Sequence, residues 1–80
     1  MDVVRIVDDY LYKKCCEKNR LGVDVLPSTL INELLAQNPS LSKSEIITAL
    51  ESIKEAKLQY REYSDGNKEI SLICYETHFN

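Results

Sequence analysis

The sequence predicts an α+β fold of three helices followed by a C-terminal two-stranded β-hairpin. Two observations carry this expectation. Apolar residues recur at steps of three and four up to about residue 57, whereas from Leu58 apolar and polar residues alternate. Two local signatures fix the frame: the capping-box spacing of Ser42 and Glu45, and the glycine-centred stretch "SDGNK".

The first helix is expected over about residues 2–19. Val3, Val4, Val7, Leu11 and Cys15 fall on one face at 100° per residue, with Asp2, Asp8 and Asp9 toward the start. Lys13, Lys14, Lys18 and Arg20 lie toward the end, where cations suit the negative end of the helix dipole. Gly22 is the expected left-handed terminator, and "VDVL" reads as a short extended piece, able to pair as a minor strand, that stops at Pro27. The second helix is expected over 28–37, capped by Ser28, with Leu30, Ile31, Leu34 and Leu35 on its apolar side and Pro39 beyond its end.

The third helix is expected over 43–57. Leu41 and Ile46 are placed to close a hydrophobic staple around its start. Ile46, Leu50 and Ile53 form its buried stripe, and Ala49 and Ala56 are small enough for another helix to approach. The strands "LQYREY" (58–63) and "EISLICY" (69–75) flank a turn in which Gly66 supplies a positive φ. The whole chain, 1–80, reads as one domain without internal repeats.

Composition narrows the function classes. The chain is 44% hydrophobic and 29% charged, which describes a globular domain, and a chain this short buries only about 60% of its unfolded surface. The net charge of −3 argues against nonspecific coating of nucleic acid and leaves room for a local basic patch. No apolar run approaches the roughly 18 residues of a membrane span, and "MDVVRIVDDY" lacks the pattern of a signal peptide, so a cytoplasmic protein is expected. Cys15, Cys16 and Cys74 make neither a disulfide framework nor, with His78, a metal-ligand set. No Ser–His–Asp set, carboxylate pair or phosphate loop is visible, so neither catalytic residues nor a cofactor are expected.

Helix, short strand, helix, tight turn, capped helix and hairpin resemble the winged helix-turn-helix family over residues 3 to about 76, most specifically in "LSKSEIITALESIKEAKLQYREYSDGNKEISLICYE". The resemblance implies a third helix that enters the major groove of double-stranded DNA and a hairpin wing that touches the backbone or minor groove. Carried onto this sequence, it gives Lys43, Ser44, Ile47 and Thr48 as the reading surface and Arg61, Asn67 and Lys68 as wing contacts. The function implied is that of a small DNA-binding protein, a transcriptional or mobile-element regulator.

Glu51 and Glu55 oppose that reading if both lie on the outer face of the third helix, where phosphates pass. On the same scaffold Ile47, Glu51 and Glu55 would instead present an acidic and apolar face to a protein, giving an accessory or inhibitory module that does not bind DNA. Glu51 with Lys54 could equally be an ordinary i, i+3 surface pair. Arg61 could equally be one half of a cross-strand ion pair. A homodimer is expected from apolar residues that so small a core would leave over, namely Ile6, Tyr12, Ile73, Tyr75 and Phe79.

Overall fold

A computed structural model of the chain describes residues 2–77. Three helices, α1 (Val3–Lys18), α2 (Pro27–Gln37) and α3 (Lys43–Ser52), pack on an antiparallel sheet of β1 (Gly22–Val25), β2 (Ala56–Glu62) and β3 (Lys68–Glu76). The sheet order is β1-β3-β2. The C-terminal hairpin is therefore part of a three-stranded sheet rather than a separate two-stranded element. The short piece after Gly22 is its third strand, pairing Val23 with Tyr75 and Val25 with Ile73.

Each helix has an identifiable start. The Asp2 carboxylate accepts from the Arg5 N–H at 3.2 Å and caps α1. Pro27, not Ser28, opens α2: Leu26 is its cap residue without a side-chain bond, and proline at the first position has no N–H to satisfy. The Ser42–Glu45 capping box forms as expected. Ser42 Oγ accepts from the Glu45 N–H at 3.2 Å, and the Ser42 N–H donates to Glu45 Oε1 at 3.0 Å.

The ends differ from expectation in two places. Asn19, at φ 52° and ψ 47°, takes the left-handed position after α1, with its N–H and that of Arg20 closing on the carbonyls of Cys16 and Cys15. Gly22 is instead the first residue of β1, paired with Glu76. The third helix stops at Ser52, five residues before the expected end at 57. Ile53 is already extended (φ −87°, ψ 114°) and buried, and Lys54 and Glu55 form a turn closed by the Ala56 N–H on the Ile53 carbonyl. Ala56 then pairs with Tyr75 as the first residue of β2. Strand pairing overrides the helix propensity of "KEAK".

The core gathers Val7, Leu11, Cys15, Leu30, Leu34, Ile46, Leu50 and Ile73, all essentially inaccessible. Val4, expected on the buried face of α1, is exposed, and Tyr10 takes its share of that face. Ile73 and Tyr75 are buried in the chain's own core, so they are not surplus apolar surface for a dimer. Ile6 is packed against the core and Tyr12 is exposed, while Phe79, like His78, lies outside the described residues. The dimer surface expected from the first helix and the C-terminal segment thus loses its main members.

Two polar clasps tie α1 to its neighbours. The Tyr75 hydroxyl donates to Asp8 at 2.9 Å. The Tyr10 hydroxyl donates to Glu33 of α2, whose carboxylate also meets Lys14 Nζ at 3.5 Å. Lys14 in turn sits 5.2 Å from the centre of the Tyr10 ring. Of the basic residues toward and just beyond the end of α1 (Lys13, Lys14, Lys18 and Arg20), Lys14 is thereby committed to structure.

The three thiols are free and differ in access. Cys15 is buried, and that burial pushes its thiol up; Cys74 is half-buried and is pushed up by burial and by Asp24. Cys16 is exposed. A thiol reagent is expected to label Cys16 first, Cys74 more slowly and Cys15 only on unfolding, as peptide mapping of a labelling time course would read. Labelling of Cys15 at the rate of Cys16 would mean that the register of α1 is wrong.

Among the described residues no helix is long and apolar enough to cross a membrane.

Candidate functional site

Burial of Ile46, Ala49 and Leu50 fixes the roll of α3 about its axis. The helix then turns Lys43, Ser44, Thr48 and Glu51 outward, with Ile47 half-buried beside them. All four expected reading residues therefore lie on one ridge, with Lys43, Ser44 and Thr48 exposed, but its two flanks face different concavities.

On one flank, Lys43, Ile47 and Glu51 line a groove between α3 and the hairpin, facing Tyr60, Lys68, Glu69 and Ile70, with Ile31 of α2 below. Ile31 is buried and Ile47 and Ile70 are half-buried, so the floor is apolar, with charges of both signs at the rim. On the other flank, Ser44 and Thr48 border a cleft shared with Asp2, Val3 and Val4 at the start of α1.

The hairpin residues are dispersed as well. Lys68 joins Lys43 in the groove. Arg61 pairs across the strands with Glu69 and lines an adjoining concavity with Tyr63 and Leu26. Glu69 accepts from the Tyr63 hydroxyl, which raises that phenol, while Arg61 acts to lower it. Asn67 serves the turn itself, because its N–H and Nδ2 donate to Asp65 at 3.0 and 2.9 Å and close the tip in which Gly66 holds φ +88°. Its side-chain amide is committed there.

The helix end changes the acidic side of the account. Glu55 is not on the third helix with Glu51; it stands in the turn before β2, in a concavity shared with Lys54, Lys57 and Glu76. Ile47, Glu51 and Glu55 are not brought together, and no helical Glu51–Lys54 pair exists among the described ion pairs. Glu45 is held at the N-terminus of α3, accepting from Ser42. The outward ridge of α3 thus carries one uncommitted carboxylate, Glu51, and one cation, Lys43.

Tyr60 and Ile70 also belong to the groove. Tyr60 and Ile70 are cross-strand partners beyond a bulge at Ser71, whose hydroxyl donates to the Gln59 carbonyl at 3.1 Å. Alternation in "LQYREY" gave the face of Tyr60 but not what lay opposite. Among the described residues no three of His, Cys, Asp and Glu are placed to hold a metal ion.

No family model, curated protein or solved structure matches this chain.

Proposed function

We propose that this chain is a small winged-helix DNA-binding protein, a transcriptional or mobile-element regulator, that engages the major groove with α3 and the DNA backbone with its hairpin. The element order and the β1-β3-β2 sheet are compatible with a winged-helix arrangement. The observation that carries the reading is the shared placement of Lys43 and Lys68 on one groove beside an exposed helix start. Recognition helices reach bases mainly through their first turns. The departure of Glu55 from the helix removes one of the two charges that opposed phosphate there.

Lys43 and Lys68 supply phosphate contacts, Arg61 a third from the adjoining concavity, and Ser44 and Thr48 hydroxyls to base edges. Three contacts per chain would give log K a slope of roughly −2.7 against log salt. Anisotropy titrations with mixed duplex DNA at two salt concentrations test this. Binding that weakens with salt is expected, and Lys43→Gln with Lys68→Gln should flatten the slope by roughly 2. Absence of binding at low salt overturns the reading.

A second reading is favoured by one observation, the apolar floor of Ile31, Ile47 and Ile70 beneath Glu51 and Tyr60, which suits a protein segment better than a phosphate backbone. Glu51→Gln separates the two. Removing a repulsive charge should tighten DNA binding at low salt if α3 lies against phosphates. It should leave DNA affinity negligible if the groove receives a protein.

A further inference from the structure

We propose that the free edge of β2 pairs with β2 of a second copy of this chain, about a two-fold axis at Tyr60, joining two three-stranded sheets into one. Both outer strands of the sheet are edges, but β1 has four residues and β2 seven.

The hydrogen-bond phase of the ladder decides which groups β2 offers. At one end the Glu76 N–H donates to the Glu55 carbonyl, and at the other the Tyr63 N–H donates to the Asn67 carbonyl. Positions along an antiparallel strand alternate between bonding the neighbour and facing away. Odd-numbered positions of β2 therefore face β3, which fits the Gln59 carbonyl that accepts from Ser71, and even-numbered positions face the free edge. The Ala56 N–H is already bonded to the Ile53 carbonyl. The outward N–H and C=O groups of Leu58, Tyr60 and Glu62 remain.

An antiparallel pair about a two-fold axis normal to the sheet must match residues on the same face. Centred on Tyr60, it sets Tyr60 against its own copy and Leu58 against Glu62, engaging all three outward residues in about six backbone hydrogen bonds. Arg61 then faces Gln59, and Lys57 faces Tyr63, so no like charges are opposed. Centred on Gln59, the pair would set Lys57 against Arg61. Centred on Leu58, it would call on the occupied Ala56 N–H and leave Glu62 unpaired.

Charged residues on an edge strand usually discourage pairing. Here Lys57 and Arg61 discourage the neighbouring register, and Lys57, Arg61 and Glu62 all meet uncharged partners in this one. Tyr60, 51% exposed in the single chain, would be covered by its copy. The inference is independent of the DNA reading, and its test reads mass rather than DNA affinity.

Sedimentation equilibrium over a concentration series is expected to show a reversible monomer–dimer equilibrium for the full chain. Tyr60→Pro removes an outward N–H without touching the β3 ladder, and is expected to give the monomer mass with unchanged far-UV circular dichroism. If that variant does not fold, a cysteine pair decides. At a two-fold hydrogen-bonded pair the Cα atoms lie about 5.5 Å apart, within disulfide range. In a Cys16→Ser, Cys74→Ser background, Tyr60→Cys should therefore cross-link to a dimer on mild oxidation, and Lys57→Cys should not. A monomer at every concentration, a folded Tyr60→Pro chain that dimerises undiminished, or cross-linking through Lys57→Cys rather than Tyr60→Cys overturns the proposal.

Discussion

Leu50→Ala is expected to lower the unfolding free energy by about 2 to 5 kcal/mol, read as a fall in the urea midpoint with little change in slope. Leu50 is wholly inaccessible on the inner face of α3, which packs against α1, so truncation leaves a cavity that the flanking helices can only partly close. Ile53, 5% exposed, is expected to respond to Ala substitution in the same range. A domain of this length has roughly 4 to 12 kcal/mol in total, so either change would remove a large share. Thr48→Ala, on the exposed ridge of the same helix, should stay within about 0.5 kcal/mol of the parent. Midpoints unmoved by both core truncations would sink the placement of α3.

What the sequence made legible was local chemistry, and what it concealed was decided by partners distant along the chain. Ser42 and Glu45 form their box, and Gly66 takes its positive φ, because capping and tight turns involve residues two or three positions apart. The end of α3 differs from expectation because nothing within "IKEAK" announces that Ala56 must pair with Tyr75 nineteen positions on. Asn19 takes the left-handed position expected of Gly22 because its carbonyl partners are those of the last helical turn, whereas Gly22 is claimed by Glu76 across the sheet. The same long-range pairing buries Ile73 and Tyr75, and so removes them from the surface that a dimer through the C-terminal segment would need.

The candidate site shows the same division. The periodicity of α3 places Lys43, Ser44, Ile47 and Thr48 on one ridge, as helical geometry requires. That Lys68 stands across a groove from Lys43 while Arg61 borders another concavity depends on the hairpin's pairing and on the bulge at Ser71. A bulge inserts one residue on one strand and changes which side chains are opposed, and "EISLICY" gives no local mark of it.

Alkaline pH is expected to destabilise the fold well before the backbone itself is affected, through the two tyrosine clasps. Burial, and then the hydrogen bond and charge of Asp8, push the Tyr75 phenol up from 10.0 to about 12. Tyr10 is pushed further in the same direction by burial and by Glu33. Both folded-state values exceed the unfolded one, so the folded chain holds these protons more tightly. The stability they contribute is fully present below about pH 10, and the part due to Tyr75 is lost as pH rises toward about 12. Because Tyr75 is almost wholly inaccessible, the shift corresponds to a loss on the order of 2 to 3 kcal/mol from that residue alone. Urea midpoints measured from about pH 8 to 11.5 should fall steeply over the upper part of the range. Tyr75→Phe should start from a lower stability, since Asp8 loses its donor, and should fall less steeply, since the titrating group is gone. The comparison rests on the difference between the parent and the Phe variants, which isolates the two phenols. An alkaline slope identical in the parent, Tyr75→Phe and Tyr10→Phe would show that neither phenol is clasped as described.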